Sequence, residues 1–278
     1  MRISRKRLLY GLACIAMSVS NAHADDNMSL KSEKRFRDYV VRVYDANDLN
    51  SAANNSCVEI SQQAKKIFSK CGNQFAIGSL YTDENNIGTN ITGNGIPNLV
   101  ISEYTGGAHC CLILHVFEIG EKFSPVQSMD LQNSTDAYFS NLDRDPALEL
   151  AINDWSFAYW KTSFADSPAP RVILKYRDGK YRPAPALMKL PASAQSQLEK
   201  EALAIASLPQ WQDQKLQIPS DLWRTMLDLI YSGNVKQAWH FFDVAWPNNI
   251  EGKKEFLAEF RKQLETSPYW HDIQAMNP

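Results

Sequence analysis

The stretch NITGNGIPNLVISEY, residues 90–104, recurs in altered form as NLDRDPALELAINDW, residues 141–155. The two stretches align without a gap, 51 positions apart, so that Asn90 matches Asn141 and Glu103 matches Asp154. Each begins with residues that are typical of turns and continues into the aliphatic residues of a strand. A polar turn therefore leads twice into a buried strand, and the spacing suits a unit the size of a small sheet.

Further strand signals surround this repeat between about residue 38 and residue 180. Short runs rich in β-branched and aromatic residues alternate there with Gly, Asn, Asp and Pro. The predicted strands, besides the two in the repeat, are DYVVRVYDA, CVEIS, KKIFSK, CLILHVFEIG and RVILKY.

One segment, NNSCVEISQQAKKIFSKCGN, fits either a helix or a hairpin. In a helix that ends at Gly72, Cys57 and Cys71 would lie about 21 Å apart, given a rise of about 1.5 Å per residue. A hairpin that turns at Gln63 and Ala64 sets the two cysteines opposite each other, within reach of a disulfide. We expect the hairpin.

From about Pro191 the apolar residues recur with the 3.6-residue period of helices. Ser220 is placed to cap one helix and Gly233 to end it, and Pro247 ends the next. Five of the seven tryptophans fall in this region, where we expect them to fill the core between helices. The predicted apolar faces consist of Leu222, Met226, Leu229 and Ile230; Val235, Ala238, Trp239, Phe242, Ala245 and Trp246; and Phe256, Leu257, Phe260 and Leu264.

These patterns predict an α+β protein. Its N-terminal β-rich body, residues 25–188, should consist of open or sandwich-like antiparallel sheets with two blade-like repeats at 90–104 and 141–155. A helical C-terminal region, residues 189–278, should follow.

The first 24 residues have the pattern of a secretory signal peptide. A basic start, MRISRKR, precedes a short apolar run and an Ala22-x-Ala24 cleavage site. We therefore predict a periplasmic or secreted protein without a membrane span. Removal of this segment takes away four of the 29 basic residues and none of the 31 acidic ones, which leaves a net charge of −6. That charge argues against nucleic acid as a partner.

Both repeat segments resemble the turn-strand signature D-x-D-x-D-G-x-x-[DE]-L of FG-GAP or VCBS-type propeller-blade repeats. The stretch ITGNGIPNLVISEYTGGAHCC is also similar to a stretch found in secreted bacterial proteins of unassigned function. This resemblance covers about residues 70–180. It implies sheets of the propeller-blade type and says little about activity.

The resemblance also implies a Ca²⁺ site, because the turn carboxylates of such repeats often hold that ion. Asp143, Asp145 and Glu149 are the candidate ligands in the second turn, although Pro146 replaces the glycine of the signature. The first turn has Asn90, Thr92 and Asn94 in place of the acids and should be free of metal. Our main expectation is that the side chains of both turns bond to backbone amides, with no cofactor bound.

Four cysteines remain after residue 24, which in an oxidising compartment indicates disulfides. We expect Cys57 to pair with Cys71 and Cys110 with Cys111. The alternatives are two bridges such as Cys57 to Cys110 and Cys71 to Cys111, or one bridge from the hairpin to one of the vicinal pair that leaves a free thiol on each side.

No catalytic residue or cofactor-binding motif is predicted. His109, Cys111 and His115 have ligand types suited to Zn²⁺ or copper, and Glu103 with Asp154 could form a carboxylate pair, but we expect solvated strand ends at the latter two positions. The predicted function is an exported, non-enzymatic binding or adaptor protein of the bacterial envelope, for a protein or glycan. The alternatives are a hydrolase or thiol enzyme without a recognisable motif, and a calcium- or transition-metal-binding envelope protein.

Overall fold

A computed structural model describes residues 27–47, 55–78, 87–107, 111–212 and 218–278. Their twelve strands form three four-stranded antiparallel sheets, and six α-helices follow. The α+β class and the order of β-rich and helical parts are thus confirmed. The predicted signal segment, residues 1–24, lies outside the described residues.

Each sheet is a meander, in which neighbouring strands are also consecutive in the chain. Sheet A contains β1 (Met28–Phe36), β2 (Tyr39–Ala46), β3 (Ser56–Gln62) and β4 (Lys65–Gly72). Sheet B contains β5 (Gln74–Ile77), β6 (Asn98–Tyr104), β7 (Leu112–Ile119) and β8 (Phe123–Asp130). Sheet C contains β9 (Tyr138–Ser140), β10 (Glu149–Asn153), β11 (Arg171–Arg177) and β12 (Lys180–Pro183).

The helices all follow the last strand. They are α1 (Pro185–Met188), α2 (Gln195–Ala206), α3 (Ser220–Tyr231), α4 (Val235–Ala245), α5 (Lys253–Leu264) and α6 (Trp270–Met276). The three helical patterns of the sequence correspond to α3, α4 and α5. One detail was wrong: α3 begins at Ser220 itself and has no side-chain cap bond, because Pro219 occupies the capping position.

Sheet B is the middle layer of the β-rich part. Leu99, Ile101 and Phe117 belong to a core shared with sheet A, whereas Val100 and Leu114 belong to a core that continues through sheet C into the helices. Because side chains alternate between the two faces of a strand, β6 must be apolar on both sides. This explains the uninterrupted run Leu99, Val100, Ile101 within the repeat.

The hairpin of β3 and β4 confirms the interpretation of the ambiguous segment. Gln63 and Ala64 form its turn with φ angles of 49° and 64°, and Cys57 lies opposite Cys71. Those cysteines are joined by a disulfide. The two β-branched residues Val58 and Ile60 face the core from β3, which a helix could not achieve with this alternating pattern.

The structure adds five strands that the sequence pattern did not predict: β1, β5, β8, β9 and β12. All five lie at the edge of their sheet. An edge strand pairs on one side only and is less completely buried, so its sequence need not show apolar alternation. The pattern of β8, FSPVQSMD, illustrates this, with Met129 as its one buried residue.

The two turns that precede β6 and β10 pack against each other. The Leu148 amide donates to the Ile91 carbonyl at 2.9 Å, and the Tyr181 hydroxyl donates to both the Ile91 and Leu148 carbonyls. Gly93 has a φ of +75°, and a Cβ atom there would lie 2.6 Å from the Ala147 backbone nitrogen. Gly93 thus permits the contact that joins sheets B and C.

We expect Gly93→Ala to destabilise the protein far more than Gly95→Ala. Both glycines have positive φ, which costs a non-glycine residue about 1–2 kcal/mol. A Cβ at Gly95 meets nothing within 4 Å, whereas one at Gly93 meets backbone, and such overpacking adds about 1–3 kcal/mol. Urea unfolding of the two variants measures the difference. Equal stabilities would show that the turns do not depend on this close approach.

Candidate functional site

The three predicted metal ligands come together in the structure. Asp143 and Asp145 lie in the turn before β10, Glu149 begins that strand, and one ligand oxygen of each lies within 4.8 Å of the others. Lys175 of β11 enters the same space: its Nζ contacts the carboxylates of Asp143 and Asp145 and lies 3.5 Å from Glu149 Oε1. These contacts raise the pKa of Lys175, so an ammonium group is the cation among the acids.

The same turn uses its acidic side chains to bond to its own backbone. Glu149 Oε2 accepts from the Leu142 amide at 2.8 Å, and Asp145 Oδ1 accepts from the Ala147 amide at 2.8 Å. In the first turn, Asn90 Oδ1 accepts from the Gly95 amide at 3.2 Å. Both turns are therefore built as the sequence predicts, by side chains that bond to backbone amides.

The carboxylate oxygens of the second turn are ligands of the kind that a hard cation prefers, but the Lys175 ammonium group already lies among them. Glu149 is fully buried, and its Oε1 has no hydrogen-bond partner among the described residues. Three carboxylates around one ammonium leave two negative charges. A calcium ion could bind the same oxygens if it displaced Lys175, so binding of the ion and the position of this side chain are coupled.

We expect Lys175→Met to make the stability of the protein depend on Ca²⁺. Without the ammonium, the three carboxylates repel one another, and Ca²⁺ at about 100 times its Kd would restore about 2.7 kcal/mol. Thermal unfolding with and without millimolar Ca²⁺ measures this. The wild type and Lys180→Met, a variant of β12, should show no such shift. If Ca²⁺ left the unfolding temperature of Lys175→Met unchanged, these oxygens would not be a cation site.

Glu103 and His115 form a second polar cluster, between sheets A and B. His115 Nε2 lies 2.8 Å from Glu103 Oε2, and Lys70 Nζ of β4 lies 2.5 Å from the same oxygen. His115 Nδ1 lies 2.7 Å from the Ser128 hydroxyl of β8. Glu103 and His115 are each 7% exposed, so the expectation of a solvated strand end at Glu103 was wrong.

The charge states in this cluster follow from burial and from its ion pair. Burial alone would raise the pKa of Glu103, but hydrogen bonds from Lys70 and His115 outweigh it and lower that pKa. Burial also lowers the pKa of His115, because the imidazolium form loses its hydration. An ionised carboxylate therefore faces a neutral imidazole at neutral pH.

Asp154, the repeat partner of Glu103, is buried at a different interface. It is 1% exposed, so solvation of this strand end was also a wrong expectation. Its Oδ2 accepts from the Tyr231 hydroxyl of α3 at 2.6 Å and from the Ser267 hydroxyl after α5. Its Oδ1 accepts from the Ser156 amide at 2.9 Å and the Ser156 hydroxyl at 2.5 Å. The two repeat acids thus serve separate interfaces and do not form a catalytic pair.

We expect Asp154→Asn to destabilise the fold by about 2–3 kcal/mol, because it replaces a buried carboxylate that accepts four hydrogen bonds. The matched control is Asp136→Asn, since Asp136 is exposed and, among the described residues, accepts from the Asn153 side chain alone, at 2.9 and 3.1 Å. Urea unfolding followed by tryptophan fluorescence compares them. Equal stabilities would show that Asp154 does not join the sheets to the helices.

All three cysteines among the described residues are in disulfides. Cys57 and Cys71 form one disulfide, and Cys111 is also disulfide-bonded. Cys110 and His109 lie outside the described residues, so the predicted partner of Cys111 is not seen. Because a bonded Cys111 supplies no thiolate and both His115 nitrogens have protein partners, the sequence-based set of zinc or copper ligands is not supported.

A polar recess lies where sheets A and B end beside the TGG stretch, and we call it the end recess. Its volume is about 500 Å³. Asp45 Oδ1 and Asn55 Oδ1 are buried acceptors without a hydrogen-bond partner among the described residues, while Asp45 Oδ2 pairs with Lys31 Nζ at 2.8 Å. The lining residues are Lys31, Asp45, Asn55, Asn73, Gln74, Tyr104, Gly106 and Gly107.

The glycine pair of the TGG stretch shapes one wall of the end recess. A Cβ at Gly106 would lie 1.7 Å from Asn73 Nδ2, because the Asn73 side chain crosses Gly106 to donate to the Thr105 carbonyl at 2.7 Å. Gly106 and Gly107 both have positive φ, of 88° and 124°. These residues therefore have to be glycines for the recess to have its shape.

Several residues of these clusters carry no signal in the sequence pattern. Ser128 lies on an edge strand without apolar alternation, and Lys70 and Lys175 approach acids that are distant in sequence. Their partners depend on strand register and on sheet stacking. Lys175 could have been found by pairing β10 with β11 in the sequence. Leu174 lies opposite Leu150, so the same register places Lys175 opposite Glu149.

Comparison with known proteins assigns no family: no family model matches the chain, and no curated protein or solved structure is significantly similar to it. No helix among the described residues combines the length and apolarity that crossing a bilayer requires.

Proposed function

We propose that the protein is an exported binding module of the bacterial envelope and that its ligand site is the end recess. The proposal rests on two buried acceptors, Asp45 Oδ1 and Asn55 Oδ1. Neither accepts a hydrogen bond from any of the described residues. A buried acceptor without a donor costs about 1–3 kcal/mol, which a ligand that supplies a donor recovers. Sugar hydroxyls and peptide amides are such donors.

The form of the end recess favours a glycan over a folded protein surface. Its volume of about 500 Å³ lies in the range of small-molecule pockets. Lys31 provides a cation beside the two acceptors, and Tyr104 provides an aromatic wall. A sugar unit offers several hydroxyl donors within this small space.

Export is supported by the oxidised cysteines and by the signal-like first 24 residues. Disulfides such as that of Cys57 with Cys71 are typical of oxidising compartments. In this proposal the three four-stranded meanders are an open stack of blade-like sheets covered by helices.

Binding to an immobilised panel of bacterial envelope oligosaccharides tests the proposal. We expect the wild type to bind at least one member, and Asp45→Ala and Asn55→Ala to weaken that binding by about tenfold or more, as the loss of a hydrogen bond worth about 1.4 kcal/mol implies. Glu265→Ala, an exposed change after α5, should bind like the wild type. Absence of binding, or binding that both recess variants retain, would contradict the proposal.

A further inference from the structure

We propose that Ser128 is a nucleophile activated by His115, with Glu103 as the residue that positions the imidazole, and that the surface around Ser128 cleaves acyl esters. This activity would be separate from binding in the end recess. Ser128 is exposed on edge strand β8, and its hydroxyl lies 2.7 Å from His115 Nδ1. His115 Nε2 lies 2.8 Å from Glu103 Oε2.

The hydrogen bonds of this group determine where its protons lie. Glu103 is ionised beside Lys70, so it can only accept, and the Nε2–H group of His115 must donate to it. His115 Nδ1 then carries the lone pair and accepts from the Ser128 hydroxyl. This is the proton arrangement in which a serine can lose its proton to a histidine base.

The arrangement is recognised by geometry and roles, which is why no sequence motif marks it. His115 and Ser128 are direct cross-strand partners on β7 and β8. Glu103 lies on the next strand, β6, where its neighbour position Ile101 pairs with His115. Adjacent strands thus provide base, nucleophile and carboxylate on one face of sheet B.

Strand β4 of sheet A packs against Glu103 and supplies the last member of this group, Lys70. A Cβ at Gly72 of β4 would lie only 2.9 Å from Glu103 Oε1, so Gly72 allows β4 to approach the carboxylate closely. That approach brings Lys70 to Glu103, and the disulfide of Cys57 with Cys71 holds β4 beside β3. Lys70 keeps Glu103 ionised in its buried position.

The surface beside Ser128 suggests the chemistry of the acyl group. Phe117 lies next to His115 on this face, with ring centroids 6.4 Å apart. Phe68 and Phe123 each pack on Phe117 with centroids 5.1 Å away, and both are half-buried. Phe117 itself is buried, but a short aliphatic or aromatic acyl chain would cover the exposed parts of Phe68 and Phe123, so we assign apolar carboxylic esters as the substrate class.

The reaction needs no oxidant or cofactor. Ser128 Oγ forms a bond to the ester carbonyl carbon while its proton passes to His115 Nδ1. Collapse of the tetrahedral intermediate breaks the ester C–O bond, and the alcohol leaves with that proton. Water then attacks the acyl-serine by the same route, which releases the carboxylic acid and restores the Ser128 hydroxyl.

The first test is labelling of the oxidised full-length mature protein with a fluorophosphonate, with peptide mass spectrometry to locate the adduct. We expect an adduct on Ser128 and turnover of p-nitrophenyl butyrate. Ser128→Ala should abolish both, and His115→Gln should slow labelling by about 100-fold or more. Ser124→Ala, a change on the same strand opposite Glu118, should label like the wild type. A folded wild type without an adduct on Ser128 would overturn the proposal.

The pH profile separates activation from a structural hydrogen bond. The charged groups that face His115 are Glu103 of β6 and Lys70 of β4. Labelling should increase with pH as His115 loses its proton, with a midpoint below the ordinary histidine pKa of about 6.5. Lys70→Met removes a positive charge that lowers this pKa, so the midpoint should move to higher pH. An unchanged midpoint in Lys70→Met would contradict the role of His115 as the base.

A cysteine variant keeps the proposal testable if His115→Gln does not fold. In Ser128→Cys, His115 should raise the thiolate fraction at pH 6, so that iodoacetamide alkylates it at least about tenfold faster than Ser124→Cys. Equal rates would overturn the activation of position 128. Labelling is measured at Ser128 and glycan binding at the end recess, so failure of one is distinguishable from failure of the other.

Discussion

The buried carboxylate of Asp154 joins the end of sheet C to the helices, and the position of the helical region against that sheet depends on this contact. One oxygen accepts from Ser156 in the turn after β10, and the other accepts from Tyr231 and Ser267 of the helical region. Burial raises the pKa of Tyr231, so that its hydroxyl stays protonated and remains a donor. Both oxygens of the carboxylate accept hydrogen bonds, and these bonds offset the free-energy cost of burying the acid. They also fix the position of α3 against β10.

The other buried acids follow the same principle. Glu149 faces Lys175 and a backbone amide, and Glu103 faces Lys70 and His115. Acids placed between layers require such partners, because a desolvated charge without one costs several kcal/mol. The partners come from other strands or other sheets, so each acid also specifies how two parts of the fold fit together.

Two groups differ from this pattern, and both bear on function. Asp45 and Asn55, which line the end recess, keep buried acceptor oxygens that lack a protein donor among the described residues. Ser128 lies at the end of a hydrogen-bonded chain that begins at buried Glu103 and reaches the surface. The first group offers bonds to a ligand, and the second offers a proton relay to a substrate. They lie at different places in the A–B sheet pair, so one protein can carry both.

The sequence by itself determined the fold class, the central strands, three of the four long helices of the C-terminal region (α3, α4 and α5) and the β3–β4 hairpin with its disulfide. Burial of a strand or a helix face imposes a period on the sequence, and Cys57 and Cys71 could meet only in a hairpin. The resemblance to propeller-blade repeats pointed to the turn acids Asp143, Asp145 and Glu149, and the structure places their carboxylates together. Only the tertiary structure decided the edge strands, the cation supplied by Lys175, the burial of Glu103 and Asp154, and the contact between His115 and Ser128. Those features depend on which strands stack and in what register, and pairs of residues that meet across layers leave no periodic signal along the chain.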